Sequence, residues 1–290
     1  MSSEINLVWR NGSLVDAATA IDATDRAYLI GEGAFETMLI LDGAPVFLRE
    51  HLVRLNDGLS VLGLGASIDA ETIAAGVKTL FENSARPTRA VCRLTVSRYG
   101  KGRGLAPPQD EGTSVVMSMT PAPPRPQLLR LVIAENVRYS ASLLSGFKCT
   151  GAYAENALAR AAAGAVGADE ALMLNEKGRL ASASAANVFI VSGNDLLTPP
   201  VEEGAMPGVM RAKVMKAAKG LGIKCRQEAI EISTMNSARI LLTNSLIGVA
   251  LSFLGDRGAD ADAPAFLFAL RKAVERVERA DAAAFNKGQG

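Results

Sequence analysis

The sequence predicts an α+β protein of two domains. Short apolar runs with strand character and amphipathic stripes with helical character mix in two blocks along the chain. The composition breaks once, at Pro121-Ala-Pro-Pro-Arg-Pro126, a stiff extended connector. The chain has 290 residues, 49% of them apolar, which is enough for one large core or two ordinary ones. The expected division is a small N-terminal α/β domain over 1–120, a linker over 121–127 and a larger C-terminal mixed α/β domain over 128–290.

In the first block, Leu7 to Val15 reads as a hairpin turning at Asn11-Gly12. Thr37 to Leu41 is a strand that turns at Asp42-Gly43 and returns through Val46-Phe47-Leu48. A helix follows with Leu52, Leu55, Leu59 and Leu62 on one face and Arg54 off that stripe. Asp69 is a plausible N-cap for a second helix, with Ile73, Val77 and Leu80 inward. Strands are expected over Ala90 to Arg98 and Ser114 to Met119, around a glycine-rich loop that ends at Gly104.

In the second block, strands are expected at Leu131 to Glu135, Ala171 to Asn175, Asn187 to Ser192, just before Thr198-Pro199-Pro200, and at Arg239 to Thr243. Helices are expected from Tyr153 to about Gly164, from Pro207-Gly208 with Met210, Val214, Ala217 and Leu221 on one face, and at Phe266, Leu270, Val274 and Val277. The tail after Asp281 reads as frayed.

The charge balance, 31 basic against 30 acidic residues, argues against a nucleic-acid binder. No window holds 18 apolar residues without charge, and no secretory leader is read at the N-terminus, so neither a membrane span nor export is expected. Cys92, Cys149 and Cys225 lie far apart with no CxxC, and His51 is the single histidine. No metal site, disulfide framework or Ser-His-Asp triad is therefore expected, and a reduced cytoplasm fits.

Lys148 sits between Gly146 and the opening of an apolar helix, with Gly151 permitting a tight entry. Taken alone, this window reads as an exposed lysine, as most are. A partly desolvated amine in such a place is instead a usable nucleophile. Three further features could hold a phosphate. Arg54 offers a fixed guanidinium fork. Gly208-Val209-Met210 opens a helix after Pro207, with free N–H groups and a favourable dipole. Thr243-Asn244-Ser245 offers hydroxyl and backbone donors after a buried strand.

In order, the chain carries Asp25-Arg-Ala, His51-Leu-x-Arg54-Leu, Lys148, Gly167-Ala-Asp-Glu-Ala-Leu, Ala186-Asn187-Val-Phe189, Thr198-Pro-Pro, Pro207-Gly-Val-Met-Arg211 and Thr243-Asn-Ser-Leu. This ordered set resembles the class IV aminotransferase family, the fold-type IV pyridoxal-phosphate enzymes with a D-amino acid aminotransferase-like fold. The resemblance runs from about Leu7 to Leu254. It implies pyridoxal 5'-phosphate as cofactor, joined to Lys148, which would also shuttle the substrate's α-proton. It implies that Arg54 holds the phosphate, with backbone donors at Val209 and Met210 and at Asn244 or Thr243. Tyr153 would lie near the cofactor ring; Asn187 and Tyr153 could also be structural only, and His51 is read as packing or capping. The family further implies a homodimer and an active site between the two domains.

Several details resemble the aminodeoxychorismate lyase branch more than the transaminases. They are Gly31-Glu-Gly33-Ala-Phe35, the loop from Ser97 through Arg103, Met210 where threonine is frequent, and Ala185-Ala-Asn187 with Thr243-Asn-Ser-Leu. Tyr99 and Leu105 depart from that branch's pattern. The lyase eliminates pyruvate from 4-amino-4-deoxychorismate, leaving 4-aminobenzoate for folate synthesis. Its substrate carries two carboxylates, for which Arg98 and Arg103 are candidate partners, or else braces of a glycine-rich loop. An aminotransferase for D- or branched-chain amino acids is the alternative within the family.

One departure concerns the chemistry itself. Five residues before Asn187 the family places a glutamate that pairs with the cofactor's pyridine nitrogen, and here that position is Ser182. A hydroxyl can hydrogen-bond the nitrogen but cannot keep it charged, so the ring is a weaker electron sink. The sequence leaves three outcomes open: elimination favoured over transamination, a cofactor-binding protein with a degenerate site, or another acid reaching the position from elsewhere in the chain.

Overall fold

A computed structural model of the chain describes residues 6–65, 67–100, 104–107, 111–235, 238–255 and 263–288. The chain forms two compact units. The first comprises Met1–Pro123, Phe147–Ala152 and Glu278–Gly290; the second comprises Pro124–Gly146 and Tyr153–Val277. The division is thus not a single cut at the proline-rich segment. A short strip around Lys148 and the end of the chain group with the N-terminal residues.

The first unit opens with the hairpin β1 (Leu7–Arg10) and β2 (Ser13–Asp16). Asn11 and Gly12 both take positive φ, 45° and 99°, as its two-residue turn requires. Asp25 caps the short helix α1 (Arg26–Ile30) by accepting the Ala27 N–H. Then come β3 (Gly33–Leu41), β4 (Ala44–Pro45), α2 (Leu48–Val61), α3 (Ala70–Glu82), β5 (Arg89–Gly100) and β6 (Glu111–Pro121). The strands form one antiparallel sheet in the order β2-β1-β6-β5-β3-β4. Helix α2 packs on β3, and α3 packs on β1 and β6, burying Leu52, Leu55, Leu59, Ile73, Val77 and Leu80. The Asp69 carboxylate accepts the Thr72 N–H at 2.7 Å, so α3 starts where its cap predicts.

The second unit holds β7 (Leu128–Arg138), α4 (Tyr153–Ala165), β8 (Glu170–Asn175), β9 (Leu180–Ala183), β10 (Asn187–Ser192), β11 (Asp195–Thr198), α5 (Val209–Gly220), β12 (Cys225–Gln227), α6 (Ile232–Met235), β13 (Arg239–Asn244), β14 (Gly248–Leu254) and most of α7 (Leu267–Asn286). Its strands form a mixed sheet in the order β12-β11-β10-β13-β14-β7-β8-β9. Side-chain alternation along β8 gives the sheet two apolar faces. Leu172 joins Leu131, Val188, Ile190, Ile240 and Leu242 on one. Ala171 and Met173 meet Ala159 and Ala163 of α4 on the other.

Four expectations are corrected. The return through Val46-Phe47-Leu48 is not a strand: β4 ends at Pro45, and Phe47, at φ 58°, is the N-cap of α2. Arg54 is buried rather than off the inner stripe, because the covered face of α2 also takes in His51. Val277 is exposed. The tail after Asp281 is helical to Asn286, with Ala282 buried and Asp281 accepting the Phe47 N–H at 2.6 Å. Strands β9, β12 and β14 were not foreseen. They are short or adjoin glycine, and so carry little periodicity of their own.

Candidate active site

In the first unit, the strip Phe147–Ala152 is laid along the start of β3. The Phe35 N–H donates to the Lys148 carbonyl at 2.9 Å, and the Thr150 N–H to the Gly33 carbonyl at 2.9 Å. Ala34 and Cys149 form an antiparallel bridge between them. The Thr150 hydroxyl donates to the Gly31 carbonyl at 2.6 Å. Gly31, at φ 70°, lies so close that a Cβ built on it would come within 2.4 Å of the Gly151 Cα. The backbone that carries Lys148 is therefore held on both sides of the residue.

This register puts Lys148 and Phe35 on the same face of β3. The Lys148 Nζ lies 5.0 Å from the centroid of the Phe35 ring. Arg93, exposed on the neighbouring β5, places its Cζ 3.3 Å from the same centroid. One aromatic ring thus sits against both an amine and a guanidinium, a cation–π arrangement that orients both.

Glu36, the next residue, points to the α2 face. Its carboxylate accepts from Arg54 Nε and Nη2, each at 2.7 Å, and from His51 Nδ1 at 2.7 Å. An ionised carboxylate only accepts, so His51 Nδ1 carries a proton. Burial alone would raise the Glu36 pKa. Hydrogen bonds from His51 and Arg54, with their charges, outweigh that and hold it at about 2. The plane of the Arg54 guanidinium is therefore fixed by a two-pronged grip.

Arg98, expected as a substrate partner or as a brace, is turned to acceptors of its own unit. It is buried, donates through Nε to Glu32 at 2.9 Å, and donates through Nη2 to the carbonyls of Leu62 and Gly63 at 3.0 and 2.9 Å. It ties the end of α2 to the strand, which is the bracing role. Glu32 also pairs with Arg26, which in turn donates to the Gly104 and Leu105 carbonyls. Burial works against ionisation of Glu32, but these two arginines hold its pKa below the usual carboxylate range. Arg103 lies outside the described residues.

In the second unit, Tyr153 opens α4 and is half-buried. The α4 first turn is tied to the end of β9, where the Asn156 Nδ2 donates to the Ser184 carbonyl at 2.6 Å. Ser182 lies two residues earlier, paired with Met173 and hence on the α4 face of the sheet. Its Oγ is buried and has no hydrogen-bond partner among the described residues. Arg138, at the end of β7, interacts electrostatically with Tyr153 and donates through Nε to the Gly204 carbonyl at 2.7 Å. Burial pulls its pKa below the usual guanidinium value.

Asn187 donates from Nδ2 to the Met206 carbonyl at 2.8 Å, pinning the loop into α5. A Cβ on Gly208 would lie 1.9 Å from Asn187 Oδ1, so a side chain there is excluded while Asn187 keeps its bond. Val209 and Met210 form the buried first turn of α5, which no side chain caps. The Thr243 hydroxyl donates to the Gly248 carbonyl at 2.6 Å. The Asn244 Oδ1 accepts from the Leu246 and Ile247 N–H groups, and its Nδ2 donates to the Ala185 carbonyl at 3.0 Å. The segments Ala185–Asn187 and Thr243–Leu246 are therefore bonded to each other, also through the pairing of Asn187 with Thr243.

Glu36, Arg93 and Arg138 were not singled out as site residues from sequence, and Phe35 was named only within the motif Gly31-Glu-Gly33-Ala-Phe35. The one available signal was charge inside a strand: Glu36 interrupts a mostly apolar β3, and Arg93 and Arg138 stand beside apolar residues of β5 and β7.

Two sheets of this topology, with a lysine pinned to the first and an uncapped helix start in the second, define the fold-type IV class. A branched-chain aminotransferase from the archaeon Thermoproteus uzoniensis, solved with norvaline, superposes with a TM-score of 0.85 at 23% identity, covering 97% of this chain and 96% of that one. The profile of the family described as amino-transferase class IV matches residues 33–251, and the chain belongs to that family. A Methanocaldococcus jannaschii protein, provisionally assigned as a branched-chain-amino-acid aminotransferase, is 30% identical over 235 residues, 80% of this chain and 81% of that one. The aminodeoxychorismate lyase of Bacillus subtilis is 24% identical over 251 residues, 84% of each chain.

The family's cofactor is pyridoxal 5'-phosphate. Two observations fit it to these residues. The α5 start has no side-chain cap, as an anion-binding helix end requires. The buried Ser182 hydroxyl has an unmet hydrogen bond on the α4 face.

Proposed function

We propose that this pyridoxal-phosphate enzyme acts as a 4-amino-4-deoxychorismate lyase, eliminating pyruvate and leaving 4-aminobenzoate. The observation that carries the reading is the Arg93–Phe35–Lys148 arrangement. It sets a fixed, exposed guanidinium against the same ring as the reactive amine, where a substrate carboxylate can be held beside the group that works on it. Arg93 takes over here the role first expected of Arg98. The bonded pair of segments Ala185–Asn187 and Thr243–Leu246, both lyase-like in sequence, supports the branch.

In this reading Lys148 joins the cofactor through its amine and moves the substrate's α-proton. Arg54, the Val209 and Met210 N–H groups and the backbone at Asn244 hold the phosphate. Tyr153 and Ser182 meet the ring. When bound, pyridoxal phosphate supplies the electron sink that lets the bond at the leaving group break. The protein works as a cytoplasmic homodimer on a small-molecule substrate.

An aminotransferase for branched-chain or D-amino acids is the second reading, favoured by the relative from M. jannaschii. Coupled assays separate the two. Release of pyruvate with 4-aminobenzoate marks the lyase, and amine transfer dependent on a keto acid contradicts it. A coloured but inert protein contradicts both and marks a degenerate site. Arg93→Gln should raise the substrate KM about tenfold or more, the effect of losing a charge-assisted hydrogen bond. Arg98→Gln should lower stability and leave KM near that of the parent.

A further inference from the structure

The sequence leaves open whether another acid replaces the absent glutamate beside the cofactor's ring nitrogen. Two buried acids of the second unit, Glu170 and Glu203, are engaged with other groups. The Glu170 carboxylate accepts from the Ser184 hydroxyl and from the Ala171 N–H at 2.8 Å. Glu203 is held by Arg179 and by Asn175 Nδ2 at 2.6 Å.

A ring nitrogen facing Ser182 has two ways to meet the hydroxyl. Protonated, it would donate to the serine oxygen. That would bury a cation beside a neutral hydroxyl and would leave the hydroxyl proton unused. Unprotonated, it accepts the hydroxyl proton and satisfies the unmet group without adding charge. Desolvation disfavours the first arrangement.

We propose that Ser182 donates its hydroxyl proton to an unprotonated pyridine nitrogen, so that this enzyme works with a neutral cofactor ring. The inference rests on the seating of the cofactor given above and does not depend on whether the reaction is elimination or transamination. No proton is exchanged with the ring, and charge arising on the substrate during the reaction is less delocalised than it would be into a pyridinium.

The test is nitrogen NMR of the protein loaded with pyridoxal phosphate labelled with 15N in the ring. The parent resonance is expected in the unprotonated range, and Ser182→Glu should move it to the protonated range. A parent resonance in the pyridinium range overturns the proposal while leaving the cofactor seating intact. So does a Ser182→Glu resonance that stays with that of the parent. A parent protein that retains no label after gel filtration overturns the seating itself, and the proposal with it. Ser182→Ala, a small change within a buried strand, should weaken cofactor binding about two- to tenfold, the range for one neutral hydrogen bond. Unchanged affinity would remove Ser182 as the partner.

Discussion

Glu36 shows what a single residue can hide. In the sequence it is one acid within an apolar strand, and nothing local says what it meets. Its partners come from α2, 15 and 18 residues further on. Arg54 was legible as a candidate, because an arginine in the His-Leu-x-Arg-Leu motif belongs to the family pattern. Its orientation was not legible, since that depends on a strand packing across the helix. The ion pair gives a pH-dependent prediction. The folded pKa of Glu36, about 2, lies below its ordinary 4.5, so its stabilising contribution is complete above pH 4.5 and is lost as pH falls towards 2. The shift corresponds to about 3 kcal/mol. Glu36→Gln should destabilise the protein by about 3–5 kcal/mol at neutral pH, because the buried Arg54 and His51 lose the carboxylate they donate to. It should also flatten the stability profile between pH 4.5 and 2. Urea unfolding at several pH values checks both effects; a variant with the parent's acid limb would contradict the pairing.

At the scale of elements, capped helices and glycine turns were readable because their signals are local. Asp69 and Asn11-Gly12 each act within three residues of chain. The strip around Lys148 was only half readable. Its lysine stood out, but its pairing with the start of β3 joins residues more than a hundred positions apart. Gly31 is the test of that pairing. Gly31→Ala would meet the Gly151 backbone at 2.4 Å in a left-handed conformation. Overpacking and the backbone cost together should amount to about 2–4 kcal/mol, with weaker cofactor retention. Gly12→Ala is the control, since Gly12 also has positive φ but no atom within 4 Å of an added Cβ. It should cost only about 1 kcal/mol and leave the cofactor in place. Thermal melts and the cofactor content of the purified variants would show whether the two positions differ in this way.

For the whole molecule, mixed strands and helices and a proline-rich break were enough to read an α+β protein with two units. The break could not reveal that the lysine strip and the end of α7 join the first unit, because a chain that crosses back leaves no mark in composition. The family was legible from the order of its motifs, and its consequence for the whole chain is a single covalent attachment point. The direct measurement is the visible spectrum of the purified protein before and after borohydride reduction, followed by peptide mass mapping. The account predicts a coloured protein whose reduced cofactor is found on the peptide containing Lys148, and a Lys148→Ala variant that carries no covalent cofactor. A cofactor fixed to another lysine, or a Lys148→Ala protein that still traps it on reduction, would contradict the account.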